Sequence, residues 1–282
     1  IPLPSLEQQN QIVTAYYSNI NMAKAQEEKA EELEKEIERY LLEALGVEPL
    51  RKIERQFQKL HFFHSKDMNR WGVEFNLYAR LEANIFKSSK YKMVCIQDYF
   101  EINPTISFKE LLEYDEISFI PMETVSDKKG IIKEQRVTNP QQGYTRFGEG
   151  NIIWARITPC MENGKSAIAT DLKNGFGIGS TEFHVLKKTN EGLNISLLHK
   201  MLRSKLLTVN AKFYFTGSAG QQRVPKEFLE NLYVPLPPLE IQESIVTHIE
   251  SIKSEIAALR SDAAENRKKA LAAFEEQIFQ EG

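Results

Sequence analysis

A thirteen-residue segment occurs twice in this chain, at residues 1–13 and at residues 234–246. The first copy reads IPLPSLEQQNQIV and the second reads VPLPPLEIQESIV, with eight identical positions. In each copy a proline-rich piece is followed at once by a long segment without Gly or Pro. Proline fixes φ and has no N–H, so it suits the residues before a helix or its first turn. The repeat therefore predicts two long helices with the same beginning, one near each end of the chain.

Both predicted helices carry apolar side chains in a coiled-coil rhythm. In the second helix, apolar or small residues follow Ile245 at alternating spacings of four and three, and Asn266 is a polar member of this series. The first helix has a less regular series between Tyr16 and Leu41, and Gly46 is placed to end it. Because a seam with this period needs a facing helix, we expect the two to pair as an antiparallel coiled coil. The alternatives are that each helix packs on a separate core, and that Asn266 lies at the edge of the seam rather than fixing its register.

The segment between the helices predicts a globular α+β domain. β-rich runs occur at residues 151–157, 165–170 and 180–186 between turn-forming clusters, and helical patterns occur at 51–62 and 195–209. We therefore expect a helix at residues 1–47, an inserted globular domain at 48–236 and a second helix at 237–282.

The net charge of −3 conceals an uneven distribution. Residues 1–45 carry a net charge of −5 and residues 237–282 carry −4, whereas residues 128–226 hold 16 basic and 6 acidic side chains. A basic block between acidic ends is the electrostatic pattern expected of a polyanion-binding protein. An uneven but functionally neutral surface has the same composition, so charge alone leaves both interpretations open.

Several classes of protein are disfavoured by the sequence. No apolar run approaches the roughly 18 residues of a membrane-spanning helix. The first residues, IPLP, have neither a basic segment nor a cleavage signature, so we do not expect a signal peptide. Cys95 and Cys160 have neither metal-site nor disulfide spacing, which indicates a reducing cytoplasm. Because the chain does not begin with Met, we expect it to be a fragment.

The sequence contains no complete catalytic motif. A Gly-Lys-Ser triplet at residues 164–166 resembles the end of a phosphate-binding loop, but Pro159 stands where that loop requires glycine. His61 and His64 have helical spacing but no evident third metal ligand. We therefore expect neither a cofactor nor a metal, and no reaction catalysed by this chain alone.

Polar and basic side chains at strand ends and in glycine-containing loops are candidates for DNA contact. We expect Arg223 and Gln222 to read bases or neighbouring phosphates, with Gln221 beside them, and Lys165 and Lys226 to bind phosphates. Each residue has an alternative interpretation as part of a polar turn or strand edge, but the basic block favours DNA. The candidate DNA-binding residues are Arg146, Arg156, Thr158, Lys165, Ser180, Thr181, Ser218, Gln221, Gln222, Arg223 and Lys226.

The repeated helix-opening motif around a basic domain resembles the specificity (S) subunit of type I restriction–modification systems. Further matching motifs are RWGV at residues 70–73, FIPM at 119–122, WARITP at 154–159, GSTEF at 179–183 and TGS at 216–218. The resemblance implies a target recognition domain between two conserved spacer helices, which reads double-stranded DNA and is not itself an enzyme. It also implies that methyltransferase (M) subunits dock on the chain and that the restriction (R) subunit joins through them.

The family usually has two recognition domains, whereas this chain resembles the second half, with one. The resemblance thus implies that it reads one half of a bipartite site and needs a second recognition domain, from a missing half or from a second copy. Two alternatives stay open. The chain is the specificity part of a fused adenine methyltransferase, or it is a coiled-coil scaffold whose inserted domain binds a protein.

Overall fold

The computed structural model of the chain describes residues 5–48, 64, 85–218 and 220–279. The predicted helix at 51–62, His61 and the motif at 70–73 lie outside the described residues. The chain forms two compact units, which we call the helical unit (Ile1–Leu41 with Val246–Gly282) and the globular unit (Leu42–Ile245).

Helices and short strands make up the described part of the chain. The helices are α1 (Leu6–Ala44), α2 (Phe108–Leu111), α3 (Ile195–Arg203), α4 (Lys205–Ala211), α5 (Lys226–Glu230) and α6 (Leu239–Phe279). The strands are β1 (Met93–Cys95), β2 (Phe100–Ile102), β3 (Ile117–Ile120), β4 (Arg136–Thr138), β5 (Thr145–Gly148), β6 (Ile152–Ala155), β7 (Ser166–Ile168), β8 (Phe176–Gly179), β9 (Phe183–Lys188) and β10 (Tyr233–Pro235).

The helices α1 and α6 begin at equivalent positions of the sequence repeat, at Leu6 and Leu239. The N–H of Gln9 donates to a carbonyl four residues earlier at 2.9 Å, and the N–H of Gln242 does the same at 3.0 Å. These residues are also equivalent in the repeat. Both predicted long helices are therefore confirmed, and they share the position of their first turn.

The helical unit is an antiparallel pair. The ring centroid of Tyr16, early in α1, lies 5.5 Å from that of Phe274, late in α6. The ring centroid of Tyr40, late in α1, lies 4.3 Å from that of His248, early in α6. Buried positions along the seam include Ala23, Ala30, Ile252, Ile256, Ala263 and Ala270. The structure confirms the predicted antiparallel coiled coil, with many small side chains at the interface.

A polar layer interrupts this seam. The side-chain amide of Asn266 donates to Oε1 of Gln26 at 2.9 Å across the two helices, and both residues are half-buried. Beside this layer Arg267 binds the carboxylate of Glu27, and the hydrogen bond from Arg267 lowers the pKa of Glu27. A polar pair at such a position favours one register, because a shifted register leaves the half-buried amides unpaired.

The C-terminus of α1 has the hydrogen bonds of a Schellman motif. The N–H of Gly46 donates to the carbonyl of Glu43 at 3.0 Å, and the N–H of Val47 donates to that of Leu42 at 2.8 Å. Gly46 has φ +64, and a Cβ there would lie 2.4 Å from Cβ of Lys90. Glycine is therefore required both by its left-handed backbone and by the close approach of Lys90.

The globular unit contains two four-stranded sheets and one two-stranded sheet. The first sheet has the order β2-β9-β6-β7 and is antiparallel throughout. The second has the order β4-β3-β8-β5, in which only β3 and β8 pair in parallel. The third pairs β1 with β10 and so joins the two ends of the sheet region. The mixture of helices and mainly antiparallel strands confirms the predicted α+β class.

One hydrophobic core joins the two larger sheets. Ile120 and Phe147 from the second sheet pack in the same cluster as Ile153, Phe183 and Val185 from the first. Trp154 is fully buried as well. Trp154 and Phe183 are therefore core residues of the globular unit.

The helical pattern predicted at residues 195–209 is two helices rather than one. Ser204, between α3 and α4, has an extended backbone with φ −61 and ψ 147. Its hydroxyl accepts a hydrogen bond from the N–H of Leu207 at 3.2 Å and so caps the start of α4. A serine that bonds the backbone in this way competes with helix continuation, which explains the break.

Candidate nucleic-acid interface

The structure brings seven of the predicted DNA-binding residues onto three adjoining segments. The N–H of Arg156 donates to the carbonyl of Glu182 at 2.9 Å, and the N–H of Thr158 donates to that of Gln222 at 3.0 Å. We call the resulting surface the arginine patch. It consists of Arg156, Thr158, Ser180, Thr181, Glu182, Gln221, Gln222 and Arg223.

A tight loop presents the third of these segments. Thr216 and Arg223 exchange two backbone hydrogen bonds of 2.9 Å, which close the loop at its base. Within it the N–H of Gln221 donates to the carbonyl of Ser218 at 3.0 Å, and both residues are exposed. Gly217 has φ +102, and a Cβ there would lie 3.0 Å from the carbonyl oxygen of Gln221. The loop therefore depends on glycine for its shape and leaves its polar tip accessible.

Glu182 is the electrostatic centre of the arginine patch. Its carboxylate accepts two hydrogen bonds from Arg223, with Nε–Oε2 at 2.8 Å and Nη2–Oε1 at 2.7 Å. Nε of Arg156 donates to Oε2 at 3.3 Å, so two arginines share one carboxylate. The bonds from Arg223 are the main reason that the pKa of Glu182 is lowered, and the same pairing raises the pKa of Arg223.

Glu182 was missing from the site residues predicted from sequence. Its position in the GSTEF motif was the available signal, but its partners are 26 and 41 residues away along the chain. A second such carboxylate is Glu162, which accepts a hydrogen bond from the hydroxyl of Thr158 and pairs with Lys212. Hydrogen bonding by Lys212, and then by Thr158, lowers the pKa of Glu162.

Three of the other predicted contact residues have their side chains elsewhere, whereas Ser218 lies in the loop just described. Arg146 donates to the carbonyl of Ile106, and its guanidinium carbon lies 5.8 Å from the ring centroid of Phe108. Nζ of Lys165 donates to the carbonyl of Met122 at 3.1 Å. Lys226 pairs with the carboxylate one turn later in α5 at 3.0 Å, which raises its pKa. The predicted DNA contacts of these residues, and of those in the arginine patch, stay predictions.

A buried histidine supports the arginine patch from inside. His184 is 1% exposed, and its Nε2 lies 2.9 Å from the carbonyl oxygen of Val224, next to Arg223. Since a carbonyl only accepts, Nε2 carries the proton, and Nδ1 accepts from the side-chain amide of Asn103 at 3.0 Å. The ring also stacks on Trp154 with a centroid distance of 6.3 Å. Burial lowers the pKa of His184, so the folded protein keeps the ring neutral.

The depressed pKa of His184 predicts a loss of stability on acidification. Below pH 6.5, its ordinary pKa, the unfolded chain binds a proton at this residue while the folded protein does not. The stabilisation from the neutral ring is therefore complete above that pH and is lost as the pH falls towards the folded pKa. We expect urea denaturation to show a steeper fall in the free energy of unfolding between about pH 7.5 and about pH 5.5 for the wild type than for His184→Gln. Equal slopes for the two proteins would contradict this assignment.

Within the described residues, no three His, Cys, Asp or Glu side chains lie close enough together to hold a metal ion. No described helix combines the length and the hydrophobicity that crossing a bilayer requires.

Sequence comparison identifies relatives of this chain. The model of a family described as "Type I restriction modification DNA specificity domain" matches residues 88–265. The EcoAI specificity subunit of Escherichia coli is 41% identical over 157 residues, which are 55% of this chain and 26% of that protein. The EcoEI specificity subunit of the same organism is 36% identical over 159 residues, which are again 55% of this chain and 26% of that protein. The matched region thus spans about a quarter of the length of these relatives.

Solved structures share the fold. The HsdS subunit from Thermoanaerobacter tengcongensis aligns with a TM-score of 0.52 and 18% identity, over 98% of this chain and 59% of that one. A chain from a structure of the type I R-M system, described for its complex assembly and conformational transition, gives a TM-score of 0.54 and 17% identity, over 98% and 60%. The resemblance drawn from the sequence motifs is confirmed, because the family model covers more than half of the chain. The chain belongs to the family of type I restriction modification DNA specificity domains.

Proposed function

We propose that this chain is a sequence-specific DNA recognition subunit of a type I restriction–modification complex and catalyses no reaction itself. The observation that carries the proposal is the arginine patch, where Arg156, Gln222 and Arg223 meet beside a glycine-containing loop. Arg and Gln are the side chains that form paired hydrogen bonds with guanine and adenine edges. Family membership and the basic block at residues 128–226 support the same function. In this proposal Arg223 and Gln222 read bases, and Lys165 and Lys226 bind phosphates.

We further propose that the chain reads one half of a bipartite site. The side chain of Gln242 is fully buried, with Oε1 accepting from the N–H of Asn194 at 2.7 Å and Nε2 donating to the carbonyl of Gly192 at 2.9 Å. Gln9 occupies the equivalent position of the repeat at the start of α1. A second recognition domain, from a longer chain or from a second copy, would have the matching attachment there. The proposed parts are spacer helices at residues 1–47 and 237–282 and a recognition domain at 48–236.

The helical unit is proposed to dock the methyltransferase subunits and, through them, the restriction subunit. Its two helices are acidic, which disfavours contact with phosphates. On α1, Leu6, Val13 and Tyr17 lie on one face and are 78%, 45% and 57% exposed. Exposed apolar side chains in a row are typical of a protein-binding surface. The helices would thus hold the protein partners while the globular unit holds DNA in the cytoplasm.

Salt dependence tests DNA recognition against the alternative of a protein-binding scaffold. If about four phosphates are contacted, each doubling of the salt concentration should lower the affinity of the full chain for its duplex about tenfold. Lys226→Gln should lower the slope of log affinity against log salt by about one, for every sequence alike. Lys253→Gln is a matched control, because this lysine also pairs with a glutamate on its own helix but lies in the acidic helical unit. A flat salt response would contradict the DNA proposal and favour the scaffold.

A further inference from the structure

The guanidinium of Arg223 is held on two sides. Of its five N–H groups, Nε and one on Nη2 bond to Glu182, and one on Nη1 donates to the carbonyl of Gln221 at 2.8 Å. One N–H on each terminal nitrogen is left, and within the described residues neither has an acceptor. The side chain is 34% exposed, so this outer edge is accessible. The loop and the carboxylate together fix a two-donor edge at the surface.

An edge of this kind fits two acceptors that lie side by side. Phosphate oxygens and the O6 and N7 atoms of guanine both provide such a pair. The surroundings distinguish the two ligands. Glu182 shares its negative charge between Arg223 and Arg156, which weakens the attraction of this site for a phosphate but leaves the hydrogen-bond geometry intact. Guanine offers an uncharged acceptor pair, so the partial neutralisation of the arginines by Glu182 weakens its binding less than that of a phosphate.

The fixed orientation of the Arg223 guanidinium also favours guanine over phosphate as the ligand. A phosphate is adequately bound by a flexible point charge such as lysine, whereas bidentate reading of guanine by arginine depends on a fixed, planar donor pair. The three bonds that hold Arg223 fix its plane, and the neighbouring Gln221 and Gln222 are neutral.

We propose that Arg223 reads a guanine through O6 and N7 in the major groove, and that Glu182 is the positioning residue that aims it. This inference rests on the proposed function, since it names the base that the arginine patch recognises. Glu182 does not touch the DNA itself. Its role is to hold the guanidinium in the orientation in which the outer edge faces the base.

A scan with 7-deazaguanine tests this pairing atom by atom. Duplexes carrying the recognised sequence have each guanine replaced in turn by 7-deazaguanine, which lacks the N7 acceptor. For the wild-type full chain we expect one position at which affinity falls about 3- to 10-fold, because one of the two hydrogen bonds of the bidentate pair is lost. Arg223→Ala should bind the modified and unmodified duplexes equally, and Arg223→Lys, which keeps the charge but loses the planar pair, should show a much reduced difference.

The same scan distinguishes a positioning role of Glu182 from a general effect of its substitution on folding. In Glu182→Gln, the difference in affinity between the unmodified duplex and the duplex modified at that one position should shrink. Glu182→Asp, which keeps the carboxylate, should show a larger difference than Glu182→Gln. Glu191→Gln is the matched control, because it removes the same charge from an exposed pair with Lys188 and should leave the difference unchanged. Circular dichroism of each variant checks that the chain is folded.

Three results would overturn the inference or its basis. If the chain prefers its sequence but no guanine is coupled to Arg223, the guanine assignment is wrong and the proposed function stands. If Glu182→Gln weakens all duplexes alike and keeps the difference at one position, Glu182 is not a positioning residue. If the wild type binds every duplex equally, the proposed function itself fails.

Discussion

Replacing Trp154 with alanine is expected to lower the free energy of unfolding of the globular unit by about 3–5 kcal/mol. The side chain is 0% exposed, and its indole N–H donates to the carbonyl of Leu202 at 3.3 Å. The change removes a large apolar surface, opens a cavity between β6 and α3, and leaves that buried carbonyl without its partner. It also removes the ring on which His184 stacks.

Urea denaturation followed by near-ultraviolet circular dichroism, which reports on aromatic packing, measures this loss. Val137→Ala is the control, because Val137 lies in β4 but is 53% exposed. Its substitution should change the free energy of unfolding by no more than about 0.5 kcal/mol. A loss below about 1 kcal/mol for Trp154→Ala would contradict the stabilising role that the complete burial of this side chain indicates.

The strand that contains Trp154 leads directly into the arginine patch. The strand β6 carries Trp154 into the core and ends at Ala155, directly before Arg156. Arg156 pairs with Glu182 through both its backbone and its side chain. A chain destabilised at Trp154 is therefore expected to lose order in the arginine patch along with stability, which links the core to the proposed recognition surface.

The helical unit could be predicted in detail because its signals are local. Proline before the helix, an uninterrupted apolar series and Gly46 after α1 are each read from a few neighbouring residues. Of the polar layer, the series indicated only Asn266 and not its partner. Gln26 occupies a seam position in α1 but interrupts the apolar rhythm, and its meaning depends on Asn266, which lies 240 residues away.

The arginine patch was predictable in composition but not in arrangement. Arg156, Gln222 and Arg223 were selected by residue type, and the structure places them together through backbone bonds between segments far apart in sequence. Glu182 was missed because a glutamate in a basic region has no local pattern that marks it as the partner of two arginines. Such a role depends on tertiary pairing of the segment before β9 with the segment that follows β6, which no short motif encodes.

Shortening both long helices by one heptad is expected to shorten the spacer between the two half-sites by about three base pairs. A helix rises about 1.5 Å per residue, so seven residues correspond to about 10 Å, and B-DNA rises about 3.4 Å per base pair. Deleting residues 31–37 together with the facing residues 255–261 preserves the heptad phase. It removes the ion pairs of Glu34 with Arg260 and of Lys29 with Glu255, but keeps the Gln26–Asn266 layer.

The deletion rests on the proposal that the paired helices separate two recognition domains, and its readout is the set of adenines methylated in DNA modified by the assembled complex. The half-site sequence read by the globular unit should not change, because residues 46–236 are untouched. Deleting residues 31–37 alone is the control: α1 would lose a heptad that α6 keeps, so the Gln26–Asn266 bond could not form together with the contacts at the other end of the seam. That variant should fail to assemble rather than change the spacer. If the paired deletion leaves the spacer constant, or alters the half-site sequence instead, the helices do not set the distance between the half-sites.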